Sequence, residues 1–158
     1  MEIERINIVS HGQEETYHWG ERFSAILKQR DVVALYGELG SGKTVFIKGV
    51  CSGLNVHDFV TSPSFTLIHE YEGSVKIIHF DFYRLNTERE IADLGFDEYL
   101  EKESISLIEW AERGESLLPK ECFSIYIERI IENRNVLIDK RSIAISGPAG
   151  RGVLNLAL

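Results

Sequence analysis

The chain has 158 residues, 44% of them hydrophobic, which is enough for one core and about the size of a typical domain, so a single domain over residues 1–158 is expected. A formal net charge of -8 sets the molecule as a whole against nucleic-acid phosphate, so contact with a nucleic acid needs a local basic patch or a partner. Met1-Glu2-Ile3-Glu4-Arg5 lacks a basic segment before an apolar one and no apolar run approaches membrane-spanning length, which predicts a cytoplasmic protein with no membrane partner; Cys51 and Cys122 lack metal or disulfide spacing and read as small core residues.

In chain order, Ser10 with Gln13 resembles a capping box. Glu14 to Arg30 carries Tyr17, Phe23, Ile26 and Leu27 at helical spacing, which predicts the first helix. Val32 to Tyr36 is a short apolar strand ending on Gly37, and Lys43 to Cys51 reads as a helix closed near Gly53. Phe65 to Tyr71 and Val75 to Tyr83 flank Glu72-Gly73-Ser74 as a hairpin. A helical segment from Thr87 to Leu100 precedes a strand from Ser104 to Trp110. Phe123 to Ile131, Arg134 to Asp139 and Ser142 to Ile145 read as short strands without helices between them. The expected fold is therefore α/β, a parallel core with antiparallel additions.

Between the second predicted strand and the second helix lies Gly37-Glu38-Leu39-Gly40-Ser41-Gly42-Lys43-Thr44. This spacing turns successive backbone N–H groups inward while the following helix points its positive end at the same place, which makes a phosphate site that bulky side chains would obstruct. Lys43 adds a charge reaching the β- and γ-phosphates, the Thr44 hydroxyl ligates Mg²⁺, and Val45 completes the nucleotide-binding set. The expected ligands are ATP or ADP with Mg²⁺.

Two strands end on an acid, at Asp81 and Glu109, and in a parallel sheet such ends face the ligand crevice. Asp81 fits a Walker B acid holding Mg²⁺ directly or through water. Glu109 is either a second metal ligand or the residue that positions the attacking water. With Lys43 they form the candidate catalytic set; the plain alternative for each acid is a solvated strand end or a helix cap. Arg84 and Arg134 are candidate phosphate or base contacts, with Arg134 placed in the nucleotide-binding set. Arg113 reads equally well as surface. Trp110 reads equally as core or as a residue lying along the nucleotide or at a partner surface, and the five histidines pair with no nucleophile and receive no chemistry.

Together with Thr61-Ser62-Pro63-Ser64-Phe65-Thr66-Leu67, His79-Phe80-Asp81-Phe82-Tyr83-Arg84-Leu85, Leu107-Ile108-Glu109-Trp110-Ala111-Glu112 and Leu118-Pro119, the glycine loop resembles the ordered motif set of the TsaE family, also called YjeE. The resemblance implies a mixed sheet flanked by helices and an ATPase acting with TsaD and TsaB in threonylcarbamoyl modification of the tRNA adenosine beside the anticodon, with tRNA met through that complex. It also implies Thr44 and Glu109 near Mg²⁺, Asp81 as a catalytic acid, Ser64 facing the γ-phosphate and Thr16 near the adenine. Ser64 stands where the family more often has threonine, and the hydroxyl survives the change. Gly147 to Leu158 carries no family motif.

A small-molecule P-loop kinase would share the loop but needs a phosphoacceptor site and usually an arginine-bearing lid, and the acidic Glu88-Arg89-Glu90-Ile91-Ala92-Asp93 makes a poor lid. A regulatory GTPase would need Asn-Lys-x-Asp, which is absent. A nucleotide-gated binding module that never hydrolyses shares every motif with the ATPase.

Overall fold

A computed structural model describes residues 1–131 and 139–158. Among the described residues seven strands form one sheet: β1 (Ile3–Ser10), β2 (Val32–Tyr36), β3 (Ile68–Glu72), β4 (Lys76–Asp81), β5 (Ser104–Glu109), β6 (Phe123–Ile130) and β7 (Lys140–Pro148). They are ordered β1-β7-β6-β2-β5-β4-β3. The four central strands, β6, β2, β5 and β4, run parallel; β7 and β1 continue the sheet antiparallel on one side and β3 on the other. The expected α/β mixed sheet, a parallel core with antiparallel additions flanked by helices, is therefore present.

β2 and β5 are buried at every residue, as strands covered on both faces must be. Val33 and Leu35 pack with Phe23, Phe46 and Ile47 of helices α1 (Gln13–Ser24) and α2 (Lys43–Gly53). Val32, Ala34 and Tyr36 face the other way, against Phe82, Ile91 and Phe96 beneath the short helices α3 (Glu88–Asp93) and α4 (Phe96–Leu100). α1 and α2 approach closely because Gly20 and Gly49 sit at their crossing. A Cβ on Gly20 would strike the Phe46 carbonyl, and one on Gly49 the Tyr17 carbonyl.

Several boundaries differ from the expectation. α1 stops at Ser24 rather than Arg30: Ala25, Ile26 and Leu27 bond to carbonyls three residues back, and Arg30, at φ 74°, turns the chain into β2. Ile26 and Leu27 still pack on the core, so their spacing marked an apolar face without a continuing helix. Ser10 is no helix cap. It ends β1, and its hydroxyl bonds to the Gly12 carbonyl and the Thr16 hydroxyl, while Gly12 occupies the cap position. The helix expected over Thr87 to Leu100 breaks at Gly95, whose φ of 79° is left-handed. The hairpin strand begins at Ile68, after a turn through Phe65 and Thr66.

β1 was not anticipated, because an edge strand with one half-buried face gives only a faint alternation. Arg134, and the predicted strand from Arg134 to Asp139 except Asp139 itself, lie outside the described residues. The stretch after Gly147 closes the core: Val153 and Leu156 are buried, and Arg151 pairs with Asp31 at 2.7 Å. Among the described residues no helix is long and apolar enough to cross a membrane.

Candidate functional site

The loop from Gly37 to Gly42 joins β2 to α2 in a shape that its glycines alone permit. Gly37, Gly40 and Gly42 have φ values of 146°, 78° and 117°, and a Cβ on Gly37 would meet the Ile127 carbonyl and the Ser41 hydroxyl. The Ser41 hydroxyl is buried without a partner among the described residues. A cavity of about 530 Å³ opens over the loop, walled by Gly40, Gly42, Lys43, Thr44 and Val45 on one side and by Ser64, Asp81 and Glu109 on the other. Gly37, Glu38 and Ser41 face an adjoining hollow that shares Leu39, Trp110 and Arg129 with the first.

Lys43 is buried and donates to the carbonyls of Gly37 and of Glu38, the latter at 3.0 Å, with its ammonium 4.4 Å from the centroid of Trp110. Burial pulls its pKa below the ordinary lysine value, against the opposite pull of Glu109, Glu112 and Asp81. Trp110 takes this place because its backbone is left-handed, with φ 57°, immediately after β5, and its ring also lies 4.8 Å from that of Tyr83. It is half-buried, a wall of the site rather than plain core.

The strands β4 and β5 bring the two acids together: Asp81 and Glu109 are register partners at the carboxyl ends of their strands. Ile77, Ile105 and Leu107 face α2, and period-2 alternation puts His79, Asp81 and Glu109 on that same face. The Thr44 hydroxyl donates to Glu109 Oε1 at 2.8 Å. His79 Nε2 lies 2.8 Å from Glu109 Oε2, both side chains nearly inaccessible. Burial pushes the Glu109 carboxyl up, but the hydrogen bond and charge of His79, the Thr44 hydroxyl and the Lys43 charge outweigh it, and its pKa is lowered.

Asp81 is held differently. Its Oδ2 accepts from the Ser62 hydroxyl at 2.7 Å and its Oδ1 from the Tyr83 backbone N–H at 2.9 Å. Ser62 lies 3.2 Å from Ser64 across Pro63, so Asp81 anchors the loop from Thr61 to Leu67 at the cavity's mouth.

The donor set fits a magnesium nucleotide. Mg²⁺ takes one or two protein oxygens and fills its sphere with phosphates and water, and the Thr44–Glu109 pair offers such oxygens beside the glycine cradle. No group of three or more His, Cys, Asp or Glu that would enclose a metal occurs among the described residues.

Other expected residues fall elsewhere. Arg84 lies on the cavity wall with its guanidinium 4.1 Å from the Phe65 ring, and Arg113 bonds the Leu85 carbonyl. Thr16 is fully buried and bonded to Ser10, and Gln13 is the α1 residue on the cavity wall. Three residues escaped the sequence reading, among them Arg129, which walls the cavity from β6 and donates to the Gly40 carbonyl. His79 had one local signal, its position two residues before Asp81 on the same strand face. Arg141, on the cavity wall from β7, had none within its own segment.

Comparison with known proteins gives a consistent result. The family model described as "Threonylcarbamoyl adenosine biosynthesis protein TsaE" matches residues 10–137. The chain is similar to the "tRNA threonylcarbamoyladenosine biosynthesis protein TsaE" of Bacillus subtilis, 44% identical over 73% of each chain, and to that of Treponema pallidum, 35% identical over 82% of this chain and 97% of the relative. The crystal structure of Bacillus subtilis YdiB superposes with a TM-score of 0.79 at 32% identity, covering 99% of this chain and 94% of that one.

Proposed function

The chain belongs to the TsaE family of threonylcarbamoyl adenosine biosynthesis proteins, and on that premise we propose that it binds Mg-ATP at the glycine loop and hydrolyses it for tRNA modification, together with TsaD and TsaB. The observation that carries the reading is the Thr44–Glu109 hydrogen bond at the head of α2, beside a buried Lys43 and a loop that only glycine can form.

Each residue has a task that follows from its surroundings. The backbone N–H groups from Gly40 to Thr44, at the start of α2, donate to the phosphate oxygens, and Lys43 exchanges its loop carbonyls for phosphate oxygens. Thr44 and Glu109 hold Mg²⁺, which when bound neutralises charge on the phosphate oxygens. His79 fixes the orientation of Glu109. Because an ionised carboxylate only accepts, His79 Nε2 is the donor. Asp81, bonded to Ser62, keeps the loop bearing Ser64 against the γ-phosphate side and orients the attacking water.

Phosphoryl transfer spreads charge over the γ-phosphate oxygens, and one lysine with one Mg²⁺ leaves part of it uncompensated. Arg84, exposed and stacked on Phe65, contacts neither acid among the described residues. Hydrolysis by the isolated chain is therefore slow. An arginine supplied by a partner is worth about three to five orders of magnitude in comparable P-loop enzymes. Single-turnover ATP hydrolysis by the chain alone, with TsaD and TsaB, and with tRNA alone tests this. Acceleration by the two proteins is the expected result. A fast isolated enzyme indifferent to them and stimulated by naked tRNA contradicts it, and no hydrolysis in any mixture marks a nucleotide-gated binding module instead.

A further inference from the structure

We propose that Arg141, supported by Arg129, is a nucleotide-binding residue that receives the α-phosphate, on the side of the glycine loop opposite the two acids; this rests on the Mg-ATP reading above. Arg141 is only 2% exposed, yet two of its three guanidinium nitrogens, Nε and Nη1, have no hydrogen-bond partner among the described residues. The third, Nη2, donates to Asp139 Oδ1 at 3.2 Å, and the Asp139 side chain is half exposed, a weak counter-charge. Directly across the β6–β7 ladder stands Arg129, whose Nε donates to the Gly40 carbonyl at 3.1 Å. Like charges opposed in a ladder disfavour the pairing, and a guanidinium withdrawn from water without acceptors is costly. Both costs are offset when an anion occupies the space between them and the loop.

The geometry says where that anion sits. The Arg141 guanidinium lies against Gly42, where a Cβ would collide with it, so it is aimed at the turn that starts α2. Arg141 and Arg129 both wall the cavity that holds Lys43 and Thr44. β6 and β7 lie on one side of β2, whereas β5 and β4, carrying Glu109 and Asp81, lie on the other. The acid side belongs to Mg²⁺ and the terminal phosphates. The arginine side therefore takes the phosphate nearest the nucleoside, and Gln13, reached because β7 pairs with β1 just before α1, continues the cavity wall there. In this place Arg141 grips the nucleotide before and after hydrolysis alike, which distinguishes it from an arginine acting on the γ-phosphate.

The test compares the parent with Arg141→Met and Lys43→Ala in two measurements: fluorescent-ADP titration with competition by ADP and by AMP, and thermal melting with and without ADP. Charge-assisted hydrogen bonds to a buried guanidinium predict that Arg141→Met loses about 10–100-fold in ADP affinity, by the same factor for AMP, while its nucleotide-free melting temperature is not below the parent's. Parent-like ADP affinity in Arg141→Met with loss in Lys43→Ala overturns the proposal and leaves the P-loop reading standing. Parent-like affinity in both overturns the reading and the proposal together. Weakened ADP with unchanged AMP removes the α-phosphate assignment. A lower melting temperature with an intact ADP shift makes Arg141 purely structural and overturns the proposal. If the methionine variant does not fold, Arg141→Gln takes its place under the same criteria.

Discussion

Replacing His79 by leucine removes the donor to Glu109 Oε2 inside a site where the histidine is fully buried and the glutamate 3% exposed. Removing the donor from a buried charged acceptor typically costs about 3 kcal/mol or more, because the carboxylate is left short of a partner away from water. Glu109 keeps the Thr44 hydroxyl on Oε1 and the nearby Lys43 charge, and leucine fills most of the imidazole's volume, so about 3 kcal/mol rather than more is expected. For a chain of this size that corresponds to a fall in Tm of roughly 6–12 °C. A carboxylate that has lost its orienting partner also holds a metal less well, typically by about 10–100-fold, so the Mg²⁺ concentration needed to support tight ADP binding should rise by a similar factor. Urea unfolding gives the first quantity and ADP titration at stepped Mg²⁺ the second. His79→Gln, which restores an N–H donor, should recover part of both losses. A leucine variant with parent stability and parent Mg²⁺ dependence would refute the assignment of His79 as the residue that orients Glu109.

Asp81→Ala should leave ADP affinity near the parent's and lower single-turnover hydrolysis by at least about tenfold, since it loses two hydrogen bonds to a charged acceptor that place the Ser62–Ser64 loop; Ser62→Ala should move the same way, and parent-like turnover in both removes Asp81 from the mechanism. Burial pushes the Cys51 thiol up to about 12 from an ordinary 9.0, so at pH 8.5 only roughly one molecule in three thousand carries the thiolate. Folded protein treated with iodoacetamide at that pH should stay unmodified at Cys51 by peptide mass spectrometry. The sign follows from the raised pKa: the thiol's contribution to stability is complete below about pH 9 and is lost as pH climbs toward 12, so alkaline unfolding should precede its alkylation, and rapid modification of the folded chain at pH 8.5 would contradict the burial.

The parts of the site that were legible in the sequence are those written locally. The glycine loop announces itself because strand, turn and helix chemistry occupy consecutive residues, and Asp81 and Glu109 stand out because each closes an apolar run. What could not be read is what register creates. Glu109 meets His79 from thirty residues away through the β4–β5 ladder, and Arg129 meets Arg141 through β6–β7, pairings that no window along the chain contains. The division of labour between the acids was equally hidden, because it depends on Thr44 reaching Glu109 while Ser62 reaches Asp81. In the fold, helical spacing at Ile26 and Leu27 reported burial correctly and helix wrongly, since a tight turn buries the same face. The edge strand β1 was missed for the opposite reason, its inward face being only partly apolar.

The central claim, Mg-ATP held by Lys43 from one side and by Thr44 with Glu109 from the other, is tested most directly by calorimetric titration of ATP with and without Mg²⁺ into the parent, Lys43→Ala and Thr44→Ala. Lys43→Ala should lose affinity under both conditions, because a buried charge facing the phosphates is gone, whereas Thr44→Ala should lose chiefly the enhancement that Mg²⁺ confers. Parent-like ATP binding by Lys43→Ala would contradict the assignment of the glycine loop as the nucleotide site.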